Sequence, residues 1–415
     1  MTNQIKTIQD NAKKLVKMAA ADLADQVHFF KVARKVDKSE FKADASGHSP
    51  GSKVSIRIPA QGEVIEDNFD ITSSLQDIKE DSVDLTLDKS ATMNLTLTSN
   101  ELAHDIDLGK VYERFFKTYV ADMAANVEAR FIREATQHTA NIVGTAGSTV
   151  ADVDTILAGR EILSKNLCPK NKERYFLMDS TVMRGAVNAN KGLFTQTRKE
   201  FEQGYIGDAN GFAWLENELL HTHTNGTDVT GVAVEASVSA IAEGMTALGV
   251  DGLTNTTGTI TKGTVFTIAG VYAVHPQTKA ALPYLKHFVH TGADVTASGS
   301  GQAQLTLGEK VYSATSGSLQ NVSAMPADEA AIVIVGAADT SYTQSLMFHK
   351  EAFRVLSVPL AMPTNAEFAE QVTESGMNIA LIRDFDVMKR RWVTRLDFLG
   401  GIVPVRPRWA ARLTS

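Results

Sequence analysis

The chain has 415 residues, with 41 Lys plus Arg against 48 Asp plus Glu and a formal net charge of −7. At about 150 residues per domain this predicts two or three folding units, each long enough to bury a core. The acidic balance argues against a protein held to nucleic acid by overall charge, and the single cysteine, Cys168, excludes an intrachain disulfide framework or a multi-cysteine metal site within one chain.

The polar stretch from Met1 to Asp10 is followed by apolar residues broken by Lys17 and Asp22, which is not the pattern of a signal-peptide core. No window approaches the roughly 18 uninterrupted apolar residues of a membrane span, so no membrane partner is expected. Ile8, Leu15, Val16, Ala19, Leu23 and Val27 recur at three- and four-residue steps and predict an amphipathic helix within residues 6–30. Residues 33–52 are polar. The run Lys53-Val54-Ser55-Ile56-Arg57-Ile58-Pro59 alternates strictly and predicts a strand stopped by proline. After a loop over 60–81, Val83, Leu85 and Leu87, then Met93, Leu95 and Leu97, predict two half-buried strands. A long segment between such strands predicts an arm or extended hairpin that docks elsewhere.

The strongest helix signal spans 108–142, where Leu108, Val111, Phe115, Tyr119, Met123, Val127, Phe131 and Ala135 hold one stripe, Asp107 is the expected N-cap and Gly144 the expected stop. At 1.5 Å per residue it would run about 50 Å. An alternation of helices and strands follows. Thr149 and Asp152 make a capping box for a helix through Leu163 that Pro169 keeps from extending, Tyr175 to Met178 read as a buried strand, and Ser180 is the expected cap of a helix through Asn188. Residues 191–221 read as irregular. Composition then shifts. Lys199 to Phe353 contains no arginine, and short alternating runs such as Val265 to Ala269 are separated by glycine turns. This predicts an all-β insertion between Thr224 and Thr343, closed by the apolar run Ala331 to Val335. Strand-like Ala352 to Leu356 and Asn378 to Ile382 follow, and an arginine-dense stretch runs from Arg383 to Arg412.

Few motifs point to chemistry. Gly47-His48-Ser49-Pro50-Gly51 matches the nucleophile-elbow pattern, but a charged stretch precedes it and a strand follows it, the reverse of the strand-to-helix turn that an elbow requires. A hydrolase using Ser49 is therefore the weaker alternative. His221-Thr222-His223 and His287-Phe288-Val289-His290 each offer two imidazoles, without a nearby carboxylate or thiol in sequence to complete a tetrahedral site. Asp105 and Asp107 read as helix-start acids, Gly258 to Gly263 lacks the Lys-Ser/Thr pair of a phosphate loop, and Cys168 reads as a buried inert thiol. No catalytic, cofactor or metal residue is assigned. Arg390, Arg391, Arg395, Arg406 and Arg408, interleaved with Trp392, Phe398 and Trp409, admit two readings: contacts to DNA phosphate and bases, or sheet positions whose arginines pair with carboxylates of this chain or a neighbour. The alternating Val, Ile, Leu and Trp residues around them favour the second. A β-rich adhesin or tail component is a further alternative that the β insertion alone would allow.

The order of extended loop, spine helix, α/β block, β insertion and strand-rich C-terminus resembles the major capsid protein of tailed phages, and most closely the P22-type coat family. The segments that carry the resemblance are Ile156-Leu157-Ala158-Gly159-Arg160-Glu161-Ile162-Leu163, Arg174-Tyr175-Phe176-Leu177-Met178-Asp179, Gly263 to Val271, and Phe348 to Leu356. It implies an α+β chain with a Hong Kong ninety-seven type capsid fold: an N-terminal arm (1–45), an extended loop (46–81), a peripheral domain (82–148 and 342–363) with the spine helix, an axial domain (149–223 and 364–403), an inserted β-domain (224–341) and a C-terminal segment (404–415). It also implies hexamers and pentamers in an icosahedral shell, assembled in the host bacterial cytoplasm with a separate scaffolding protein and a portal. Such a shell encloses double-stranded DNA and in some cases carries a decoration protein. On this reading Val54, Ile56, Arg57 and Ile58 are candidate intersubunit contacts, because a loop that cannot bury its apolar parity alone would do so on neighbours.

Overall fold

A computed structural model describes residues 28–36, 53–58, 81–98, 117–148, 153–190, 208–374 and 377–414. Strands outnumber helices, and the chain divides into two compact units: residues 1–56, 84–132 and 353–403 form the first, and residues 57–83, 133–352 and 404–415 the second. Among the described residues no helix is long and apolar enough to cross a membrane.

The first unit is built on a six-stranded sheet centred on the long strand Arg391–Pro404. Met377–Asp386 flanks it, followed by Phe368–Glu374, while Phe353–Ser357 and the short Arg34–Lys35 continue the sheet in the other direction. Lys89–Thr98 also pairs with the central strand, from Thr98 opposite Arg391 to Lys89 opposite Gly400. Residues 364–403, joined to 149–223 in the layout that the resemblance implies, thus share a sheet with 89–98. The reason is visible in the side chains: Ile379, Leu381, Leu396 and Phe398 are buried, and Phe398 meets Phe131 and Phe30 edge-on, with ring centroids 6.2 and 6.3 Å away.

Part of the predicted arm is core. His28–Val32 is a short helix whose Phe29 and Phe30 are fully buried, and Ala33 and Val36 are buried beyond it. Two adjacent phenylalanines carry too much apolar area to remain in water. The N–H groups of Phe29 and Phe30 donate to the carboxylate of Glu128, at 2.5 and 3.4 Å, so a fully buried acid satisfies the open start of this helix.

The spine helix is described over Lys117–Gln137, about 32 Å. The predicted stripe holds from Met123 through Val127, Phe131 and Ala135, all buried, whereas Tyr119 is exposed. Residues 108–116 lie outside the described residues. At the other end the helix stops at Gln137, five residues short of the prediction, because Ile142–Val143 pairs as a parallel strand with Arg412 and Leu413.

The second unit has a seven-stranded sheet in the order Ile142–Val143, Ala410–Thr414, Ser341–His349, Arg174–Met178, Phe212–Glu216, Asp208–Ala209, with His221–Thr224 pairing on Ser341–His349. Helices Val153–Lys165 and Ser180–Asn190 belong to the same unit, and their Ile156, Leu163, Val182, Met183 and Ala186 form a core with Phe176, Trp214, Met347 and Leu413. Gly159 marks close approach, since a Cβ there would lie 2.4 Å from the Met347 sulfur. The second helix is capped by Asp179, which accepts the Val182 N–H at 2.8 Å, rather than by Ser180. The stretch read as irregular contains three strands from 208 to 224, because Phe212 and Trp214 are sheet anchors rather than loop aromatics.

Residues 225–340 are strands and short turns with one 3-10 helix, as predicted. They enclose their own core of nineteen buried residues, among them Val234, Leu248, Val250, Phe266, Ile268, Leu305 and Val322. The closing run is shorter than predicted: Ile332–Ile334 forms the strand, with Val333 61% exposed on an edge.

Candidate functional site

The residues with chemical potential are mostly committed to structure. Ser49, Asp105 and Asp107 lie outside the described residues. His290 is fully buried, with Nε2 2.8 Å from the Ala293 carbonyl and Nδ1 accepting the Thr306 N–H at 3.0 Å, so both ring nitrogens hold a loop. His221 and His223 alternate onto one sheet face, with rings 6.2 Å apart. Burial pushes both down to about 4, helped for His221 by His223 and for both by the Arg412 guanidinium. Among the described residues no three-ligand cluster includes either histidine pair; the group of that kind is Glu235, Asp251 and Glu329. Cys168 is buried and its thiol is pushed up to about 11 by desolvation.

The outgoing and returning chains of the β unit run side by side. Thr224 lies opposite Ser341 and His221 opposite Gln344 in an antiparallel ladder, and the Thr224 and Ser341 hydroxyls are 2.7 Å apart. Beyond this stem, buried Asn225 donates through Nδ2 to the Val335 and Ala337 carbonyls, and its N–H donates to the Thr340 carbonyl. This polar clamp replaces the sheet ladder where the chains diverge.

Of the extended-loop residues, Val54 lies in the Lys53–Ile58 strand, which forms a two-stranded ribbon with Asp81–Thr86. Ile56 is 3% exposed within the single chain, Arg57 is exposed and Ile58 is half-buried.

The arginine-dense stretch is divided between the units. In the first, Arg391 Nε lies 3.3 Å from Asp386 and Arg395 Nε 2.6 Å from Asp397, which also accepts the Thr92 hydroxyl at 2.7 Å. Arg383 stacks on Trp392 at 4.8 Å. Arg390 is exposed in the turn after Asp386. In the second, Arg406 stacks on Trp409 at 4.3 Å and Arg408 lies 4.0 Å from Glu309, which also pairs with Lys286 at 3.3 Å. Arg412 is wholly buried. Its Nη1 donates to the Gly263 carbonyl and the Gln344 side chain, while Nε and Nη2 have no partner among the described residues. Burial lowers it to about 9, so it stays charged at neutral pH. Sequence reasoning grouped these arginines as one basic stretch, whereas the structure divides them among ion pairs, ring stacking and burial.

Taken together, the polar side chains brace sheets and turns. The sequence profile described as "P22 coat protein - gene protein 5" matches residues 23–412. Among curated proteins none matches the chain. Similar solved structures include one from Mycobacterium phage Che8 (12% identity, 94% of this chain and 91% of that chain, TM-score 0.48). Others are the capsid of cyanophage P-SCSP1u (13%, 92% and 86%, TM-score 0.46) and the mature capsid of bacteriophage PhiM1 (9%, 88% and 82%, TM-score 0.44). With the family profile spanning nearly all of its length, the chain belongs to the P22 coat protein family and is a structural, non-enzymatic capsid protein that self-assembles into a phage shell.

Proposed function

We propose that this coat protein uses a Hong Kong ninety-seven type subunit carrying an inserted β-domain. The first compact unit, with the start of the spine helix and the 353–403 strands, corresponds to the peripheral domain. The seven-stranded sheet with its two helices corresponds to the axial domain, which here takes in Ile142–Val143, Ser341–His349 and Ala410–Thr414 from stretches that the resemblance gave to the peripheral domain and the C-terminal segment; the rest of residues 224–341 correspond to the insertion, and residues 46–81 to the extended loop. Sheet partnership is the reason for assigning 364–403 to the peripheral rather than the axial domain. The observation that carries the insertion is the antiparallel stem Thr224–Ser341 leading into a region with a core of its own, since a unit whose ends are adjacent can be inserted without disturbing its host sheet.

In this reading subunits form hexamers and pentamers in the host cytoplasm on a separate scaffolding protein, around a portal, and the shell is then filled with double-stranded DNA. A decoration protein is an optional addition. Arg57 and Ile58 contact a neighbouring subunit. Arg406 and Arg408 serve stacking and ion pairing, Arg391 and Arg395 pair with Asp386 and Asp397, and Arg390 faces a partner surface. Electron microscopy of the protein expressed with and without the other head proteins tests the assignment. Uniform polyhedral shells that require the scaffold are expected, and monodisperse monomers under every condition would overturn it.

A further inference from the structure

The seven-stranded sheet of the second unit buries a cation that has no counter-charge among the described residues. Arg412 stands opposite Leu346 in the ladder, His221 opposite Gln344 and His223 opposite Tyr342, so the arginine, both imidazoles and Gln344 lie on one face of the sheet. Gly263, from the β unit, covers that face. Its carbonyl accepts Arg412 Nη1 at 2.8 Å, and a Cβ there would lie 3.0 Å from Gln137 Cγ and 3.4 Å from His223 Nδ1. The side-chain oxygen of Gln344 accepts the same arginine nitrogen at 3.0 Å. Both acceptors are neutral. Nε and Nη2 are enclosed and keep all their N–H groups unpaired, and the Nε2 of His221, across the ladder from Gln344, is also enclosed and without a partner. The nearby acids are committed elsewhere: Asp294 accepts the Lys262 N–H at 2.7 Å, and Glu134 pairs with Lys262 and His138, each at 3.1 Å. Arg133 adds positive charge beside His221.

We infer that this enclosed face is a binding site for a small monovalent anion, of chloride or nitrate size, held by Arg412 Nε and Nη2 and by His221 Nε2. A buried guanidinium that meets only neutral acceptors leaves a whole charge uncompensated, which is far costlier than an unpaired neutral donor. A water molecule would accept hydrogen bonds from these groups but bring no charge. One positive charge beside imidazoles that are neutral at pH 7 calls for one negative charge, which favours a halide or nitrate over a phosphate dianion. A metal cation would be repelled by the same guanidinium. The donors come from the strand Ala410–Thr414 and from the stem, under a loop of the β unit, so the anion ties that unit to its sheet. The inference stands independently of the shell reading.

Thermal melts of the natural protein at constant ionic strength test the site, with sodium chloride replacing sodium gluconate, whose anion is too large for an enclosed space. Raising chloride from about 1 to about 100 mM is expected to lift the melting midpoint by about 2–4 °C along a saturating curve, with nitrate acting in the same way. Identical midpoints in the two salts would overturn the inference. Arg412→Met removes the charge and is expected to abolish the chloride dependence, whereas a dependence of the same size in the variant would make it a general salt effect and overturn the site. Should that variant fail to fold, His221→Phe keeps the guanidinium and is expected to raise the half-maximal chloride concentration about tenfold. An unchanged half-maximal concentration would overturn the site as assigned. Line broadening of the chloride NMR signal by the natural protein, displaced by nitrate and not by gluconate, is expected as direct evidence of binding, and its absence would also overturn the inference.

Discussion

Two excursions from the host sheets solve the same problem differently. The β unit over 225–340 folds around nineteen buried residues of its own and is joined to its sheet by a stem and a polar clamp. The hairpin of the first unit has apolar burial at its base, at Ile379, Leu381, Leu396 and Phe398, and none at its tip. A two-stranded ribbon cannot enclose a core, so its outer half depends on turn chemistry and on whatever it meets. The difference separates a region with a core of its own from an element whose outer half has none.

The largest test of that contrast is Phe266→Ala, which empties the centre of the β unit's core and is expected to cost about 3–5 kcal/mol. Hydrogen exchange should show protection lost across 225–340 while Arg174–Met178 and Ala410–Thr414 retain theirs. Simultaneous loss in both would mean the β unit is not independent of its sheet.

Acid should act at the stem. His223 is 4% exposed with a folded value of about 4 against an ordinary 6.5. Above 6.5 both folded and unfolded chains carry it neutral. Between 6.5 and 4 the unfolded chain binds a proton that the folded chain refuses, so stability falls as pH falls, by roughly 3 kcal/mol in all. Urea melts of the natural protein and His223→Gln at pH 7.5 and 4.5 should show the variant losing less, and parallel losses would remove His223 from the account.

In the first unit, Glu128→Ala leaves the Phe29 and Phe30 N–H groups without their buried acceptor and is expected to cost about 1–3 kcal/mol. Calorimetry should detect it, with exchange in 225–340 unchanged. The smallest effect is predicted for Arg395→Ala on the hairpin. Its side chain is 55% exposed, so the pair with Asp397 should contribute less than about 1 kcal/mol to a thermal melt. A larger loss would show that the outer hairpin is braced more strongly by its own charges than its exposure indicates.

Periodicity made local elements legible. The Lys53–Ile58 strand, the stripe from Met123 to Ala135, the strand ending at Met178 and the all-β character of 225–340 were readable because each depends on neighbours two to four residues away. Details decided by competition were not. Asp179 rather than Ser180 caps its helix because its carboxylate reaches the Val182 N–H, and Gln137 ends the spine helix because residues 142–143 have a strand to join.

By itself, then, the sequence determined the strongly periodic elements, namely the Lys53–Ile58 strand, the buried stripe of the spine helix, the strand ending at Met178 and the strand-rich character of 225–340. Tertiary structure alone decided that Lys89–Thr98 pairs with Arg391–Pro404, that Phe29 and Phe30 are core rather than arm, and which arginines are spoken for. These outcomes depend on residues about 300 positions apart being brought within hydrogen-bond reach, and no local period encodes a contact whose strength comes from burial against a distant partner.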